Sequence, residues 1–133
     1  FGDPETQVVL PLLESDLLTV MQAVTNETLA DVEVKFATDK SACCVIMASA
    51  GYPQSYEKGY EIKGLDNLPE GIRVFHMGTS CKDGQFYTSG GRVLMVVGFG
   101  EALQQAHAKA LAAVESIECE NLFYRRDIGW RVL

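Results

Sequence analysis

Two glycines, Gly90 and Gly91, stand directly before Arg92 at the head of the apolar run "RVLMVVGFG". Glycines let a backbone approach a bound group closely, and a guanidinium offers a planar fork of donors that matches phosphate or carboxylate. Such a trio suits anion binding. A Gly-Gly pair is equally a common choice for a bulge or turn, with the arginine then paired to a nearby acid. Near the other end of the chain, "GDPET" sets two carboxylates, Asp3 and Glu5, on either side of a proline. Asp followed by Pro is a good helix start, because the carboxylate caps free N–H groups and proline tolerates the first helical position.

Thiol and imidazole chemistry is less well supported. The four cysteines, Cys43, Cys44, Cys81 and Cys119, include no C-x-x-C pair, and His76 and His107 are the only histidines available to complete a metal set. On an extended segment the adjacent Cys43 and Cys44 point to opposite faces, so they do not readily share an ion. Reduced thiols and no metal site are expected. A thiol enzyme built on Cys43 or Cys44 would lack a matched base within a recognisable motif. His76 on an apolar strand and His107 on a helix flank read as packed structural residues.

The chain is long enough for one domain of ordinary size, with 133 residues of which 47% are hydrophobic, so a real core is expected. Asp and Glu outnumber Lys and Arg 18 to 11, which disfavours binding driven by counterion release from nucleic acid. The longest apolar runs fall far short of the roughly 20 residues that cross a bilayer, and no cationic leader precedes one. A cytoplasmic protein with no nucleic-acid or membrane partner is expected.

Elements to position these residues follow from periodicity. Residues 4–30 read as helical and amphipathic, with Pro11 kinking or ending the first piece. Ser15 is placed to cap a second helix whose stripe is Leu17, Val20, Met21 and Val24. From about Val32 the pattern changes. "VEVKFAT" alternates like an edge strand and "SACCVIMASA" reads as a buried one. "IRVFHMGTS", "QFYTSG" and "GRVLMVVGFG" read as a meander, with Asp83-Gly84 as a hairpin turn. A helix over 101–118 presents Leu103, Ala106, Ala110, Leu111, Val114 and Ile117 on one face. The predicted fold class is α+β, with N-terminal helices followed by a small antiparallel sheet covered by a C-terminal helix.

Taken in order, "FGDPETQ", "MASAGYPQSYEKGYEI", "VFHMGT", "TSGGRVL" and "YRRDIGWRVL" resemble the phosphoribosylamine–glycine ligases (glycinamide ribonucleotide synthetases) of the ATP-grasp superfamily, across essentially the whole chain. The family usually has Gly at the positions of Gln54 and Ala50, Ala at Met77, and often Thr near Val97. These departures touch mainly the loop over 50–58.

The resemblance implies that the chain is the C-terminal part of such an enzyme. Residues 1–31 correspond to the last helices of the ATP-grasp core and residues 32–133 to the family's C-terminal domain. In the family, "GDPET" directly follows a segment whose Glu and Asn bind magnesium. The family's reaction phosphorylates the carboxylate of glycine with ATP, and the amine of 5-phosphoribosylamine then attacks the acyl phosphate, giving glycinamide ribonucleotide in the second step of purine biosynthesis. Substrates implied for the whole enzyme are glycine, 5-phosphoribosylamine and ATP, with magnesium, or manganese, as the ion. None of these cofactors is expected on this piece by itself, which is expected to be inactive without the preceding domains. By the same resemblance Arg92, with the Gly90 and Gly91 amides, is expected to hold the ribose phosphate. Asp3 and Glu5 either orient an amine substrate or only cap their helix. The exposed N-terminal helices are expected to meet the absent domains or a second copy in a homodimer. The alternative reading is a non-catalytic small-molecule-binding or scaffold module that keeps a phosphate site at Arg92.

Overall fold

The computed structural model describes residues 2–133. Strands β1 (Ser41–Ser49) and β6 (Arg92–Gly100) form its centre. Both carry long apolar runs, ACCVIMA and VLMVV, and they pair antiparallel from Ser41↔Gly100 to Ala48↔Arg92. Strands β3 (Ile72–His76) and β7 (Leu122–Phe123) complete a four-stranded sheet in the order β3-β6-β1-β7. Helix α3 (Leu103–Ser116) crosses one face of it. Val45, Met47, Leu94 and Val96 point at this helix and meet its buried Ala110, Ala113 and Val114 in one apolar core. Small residues on the buried face of α3 let helix and sheet approach closely. Of the predicted stripe, Ala106, Ala110, Val114 and Ile117 are buried and Leu103 and Leu111 half-buried.

The predicted meander is two sheets instead of one. Strands β2 (Glu61–Ile62), β4 (Thr79–Lys82) and β5 (Gln85–Thr88) form a separate sheet ordered β2-β5-β4. The chain leaves the first sheet after His76, where the N–H groups of Met77 and Gly78 both donate to the Val93 carbonyl at 3.0 and 3.1 Å. A strand cannot continue straight through two donors turned on one acceptor. Asp83 and Gly84 form the expected hairpin turn, with φ of 52° and 80°, the left-handed pair that a two-residue type I′ loop requires. Ile62 and Phe86 carry this small sheet into the main core.

The N-terminal part lies on the opposite face of the main sheet. Helix α1 (Glu5–Val9) contacts β1 and β6 and passes through Pro11 into a 3-10 turn, Leu10–Leu12. By strand alternation Cys44, Ile46, Ala48, Met95 and Val97 belong to this face, and Met95 and Val97 are fully buried there. Helix α2 (Leu17–Thr25) starts one residue later than predicted. Asp16, not Ser15, is its cap, accepting from the Thr19 N–H at 2.7 Å and the Thr19 hydroxyl at 2.8 Å. The Ser15 hydroxyl accepts from the Lys35 N–H and donates to the Glu33 carbonyl, so it is taken by the neighbouring segment.

That engagement also explains why "VEVKFAT" is no strand. Its backbone is held by the N-terminal coil, through Glu14 N–H to Lys35 O and Ala37 N–H to Leu12 O, and makes only the single bridge Leu13↔Phe36. None of the described helices is long and apolar enough to cross a membrane.

Candidate functional site

The corner where β6 begins is built from three parts of the chain. Ser49, fully buried at the end of β1, donates its N–H to the Gly91 carbonyl at 2.7 Å and its hydroxyl to the Gly90 carbonyl at 2.8 Å. These two bonds fix both glycines. Across each planar trans peptide the N–H lies opposite the C=O, so the Gly91 and Arg92 N–H groups point away from Ser49. The rings of Tyr52 and Tyr56, 6.2 Å apart between centroids, pack over Gly91. A Cβ at residue 91 would sit 2.2 Å from Tyr52 Cδ2, so this position accepts glycine because an aromatic ring occupies the space of a side chain. A bulge follows: Met47 opposes Leu94 and Ala48 opposes Arg92, leaving Val93 as the extra residue.

Arg92 and Asp3, 89 residues apart in sequence, meet at this corner. Arg92 Nη2 lies 2.8 Å from Asp3 Oδ2, and Nη1 donates to the Asp3 backbone carbonyl at 3.4 Å. Arg92 keeps 32% of its side-chain exposure, so the guanidinium stays reachable from solvent. Asp3 therefore does not cap α1. Pro4 occupies the cap position and no side chain satisfies the first N–H groups. The long-range cation competes successfully for a carboxylate that local rules assign to the helix. Glu5 is exposed, curls its carboxylate over Gly2, and has no ion-pair partner among the described residues. The structure thus brings Asp3, Gly90, Gly91 and Arg92 together and leaves Glu5 on the adjoining surface.

Beside this corner is a cavity of about 360 Å³, walled by Cys44, Ile46, Ala48, Tyr52, Phe123 and Ile128, with Pro4, Arg92 and Arg125 at its edge. Sequence reasoning found Arg92 but missed this cavity. "GYP" stood out as a motif, and only the fold shows Tyr52 as the wall that joins Gly91 to the cavity. The charged run near the C-terminus resolves into two local contacts. Arg125 pairs with Asp127 through Nε at 3.1 Å and Nη2 at 2.8 Å, and Arg126 reaches Glu115 of α3 at 2.9 Å.

The four thiols are free, burial pushes those of Cys43 and Cys44 above the ordinary range, and no three potential metal-binding side chains cluster among the described residues. A raised thiol pKa keeps the sulfur protonated at neutral pH, which disfavours a nucleophilic role. His76 shares a 2.9 Å hydrogen bond with the Thr79 hydroxyl and stacks 4.5 Å from Phe86.

The fold and this corner define a small α+β domain with an arginine–aspartate pair at the start of a central strand. Residues 42–131 match the family described as phosphoribosylglycinamide synthetase, C domain. The chain belongs to that family. It is 46% identical over 129 residues to the phosphoribosylamine–glycine ligase of Caldanaerobacter subterraneus subsp. tengcongensis, covering 97% of this chain and 30% of that protein. It is 49% identical over 134 residues to the trifunctional purine biosynthetic protein adenosine-3 of Gallus gallus, covering 100% of this chain and 13% of that one. The solved phosphoribosylamine–glycine ligase of Thermotoga maritima superposes with a TM-score of 0.72 at 35% identity, over 96% of this chain and 31% of that structure. The chain therefore spans less than a third of each of these relatives.

Proposed function

We propose that this chain is the C-terminal part of a cytoplasmic ligase that joins glycine to 5-phosphoribosylamine at the expense of ATP, giving glycinamide ribonucleotide in purine biosynthesis. Residues 1–31 are the last helices of its ATP-grasp core and residues 32–133 its C-terminal domain. By the resemblance, ATP and Mg²⁺, or Mn²⁺, belong to preceding parts of that enzyme. The piece alone is inactive. Its exposed α2 face, with Leu18, Met21 and Val24, packs on those parts, and pairs with a second copy when they are missing.

The observation that carries the proposal is the meeting of Asp3 and Arg92, which joins "GDPET" to "SGGR" in one corner. Arg92 holds the phosphate of phosphoribosylamine with the adjoining Gly90-Gly91 backbone. On arrival the phosphate, the stronger acceptor, takes the guanidinium from Asp3. The released carboxylate, with Glu5 nearby, is then free to accept an N–H from an amine substrate. Anion exchange of this kind places the amine without a protein group changing its charge.

The test is Arg92→Lys in the full ligase. Losing a charge-assisted, forked contact costs on the order of 1.5 to 3 kcal/mol, so KM for phosphoribosylamine should rise about ten- to a hundredfold with the constants for ATP and glycine little moved. Three unchanged constants would refute the assignment.

A further inference from the structure

The cavity beside Arg92 is apolar, and this separates it from the polar chemistry proposed above. It exists because β1 runs out of strand partners. Beyond Ala48 and Ser49, which pair with β7, the outer edge of β1 has no neighbouring strand, and the C-terminal segment passes alongside without closing on it. The Ala50 N–H donates outward to Asn121, while the Ser49 N–H donates inward to Gly91. Strand alternation then turns the backbone groups of Ile46 and Cys44 outward, toward the cavity, while those of Ala48 face β7. Phe123, 43% exposed, and Ile128 supply the facing wall.

Two guanidiniums stand at the rim, and each has a donor to spare. Arg92 is bound to Asp3 on one side only. Asp127 takes Nε and Nη2 of Arg125, which leaves Nη1. A volume of about 360 Å³ lies within the usual range of small-molecule sites, roughly 300 to 1,000 Å³. Apolar walls, outward strand amides and two rim cations together match one kind of guest: a compact aromatic or branched apolar body carrying a single anionic group.

We propose that this cavity is a binding site for a small amphiphilic anion, an aryl or branched alkyl carboxylate, sulfonate or phosphate, which shares Arg92 with the substrate-phosphate contact. Pro4 lies at its edge and Asp3 next to it, so a bound guest would bear on the Asp3–Arg92 corner and couple the cavity to it. The two readings share Arg92 and are tested apart, since the cavity is read by Cys44 protection without turnover and the phosphate assignment by the KM for phosphoribosylamine.

Cys44 in the cavity wall is a built-in reporter, with Cys43 on the opposite face of the strand and exposed Cys81 as controls. The full ligase is alkylated with iodoacetamide at about pH 9, where thiols raised by burial still react, and tandem mass spectra localise the label. The probe is 8-anilinonaphthalene-1-sulfonate. At saturation it should slow Cys44 alkylation about tenfold and leave Cys43 and Cys81 unchanged. Uncharged N-phenyl-1-naphthylamine should protect at least about tenfold more weakly, a difference of about 1.4 kcal/mol. Phe123→Asp, placed on an exposed wall residue to spare the fold, should abolish protection. Several results would overturn the proposal: a Cys44 rate indifferent to the sulfonate, a Cys44 that never reacts in the folded ligase, equal protection of Cys81, or protection that survives Phe123→Asp. Equal protection by the uncharged amine removes the anion from the proposal, and equal protection by inorganic phosphate alone removes the apolar cavity; either refutes it as stated.

Discussion

Replacing Gly91 by Ala isolates the steric logic of the corner, because the added atom has a calculable neighbour. A Cβ there would lie 2.2 Å from Tyr52 Cδ2, 2.6 Å from Tyr52 Cε2 and 3.1 Å from Tyr56 Cε1. Comfortable carbon contacts begin near 3.5 Å, so the Tyr52 ring must retreat by roughly 1 Å or more. The backbone cannot move in its place, since Gly91 is tied to Ser49 at 2.7 Å and Tyr52 to the Ser49 carbonyl at 3.0 Å. Overpacking of this kind costs about 1 to 3 kcal/mol. Against it stands about 0.4 to 1 kcal/mol gained from the stiffer unfolded chain, because Gly91 has no left-handed φ to lose. The net expectation is destabilisation of about 0 to 2.6 kcal/mol, the difference of those two ranges, read by urea denaturation. The decisive measurement is the same substitution in a Tyr52→Ala background. With the ring gone the sign should reverse, leaving Gly91→Ala neutral or stabilising, and the coupling energy should reach about 1 to 3 kcal/mol. Coupling below about 0.5 kcal/mol, or stabilisation by the single substitution, would refute the reasoning.

Two further predictions follow from the N-terminal helices. Hydrogen bonds from the Thr19 N–H, first, and the Thr19 hydroxyl hold the Asp16 carboxyl below its ordinary range. A carboxyl depressed on folding contributes stability that is full above its unfolded value, about 3.9, and is lost as pH falls through the folded value. The Tm gap between the unaltered chain and Asp16→Ala should therefore be widest at neutral pH and close in acid, and a gap independent of pH would contradict the cap. Leu18, 62% exposed, and Val24, 58% exposed, should drive self-association of the isolated chain. Sedimentation should show a dimer that Leu18→Glu with Val24→Glu converts to a monomer, and a monomer before substitution would count against this face.

Legibility of the sequence followed the range of the interaction that decides each feature. The α3 stripe, the apolar runs of β1 and β6 and the Asp83-Gly84 turn are settled within one element, by periodicity or by one residue's φ, and the expectation matched the structure at each. Ser15 and Asp16 are adjacent and equally suited to cap α2, and the choice between them is made by Lys35, which claims Ser15 from 20 residues away. "VEVKFAT" has the alternation of a strand, but alternation describes which faces side chains take and carries no information about whether an edge is available to pair with. The division of the sheets was illegible for a related reason, since it turns on one carbonyl, Val93, accepting from Met77 and Gly78.

Asp3 is the instructive case for the site. Next to a proline its local environment predicts a helix cap. Its actual partner, Arg92, is 89 residues away and appears as a candidate only by its own motif. Neither residue identifies the other, and single-motif reasoning leaves both ambiguous between structure and binding. The order of several motifs along one chain carries more information, because it constrains a whole fold and brings both motifs into one frame. The cavity lies outside that information altogether. It is made of ordinary apolar residues from β1, β7 and the C-terminal segment, none unusual for a core, and it becomes a site only because the edge of β1 remains unpaired where those segments pass.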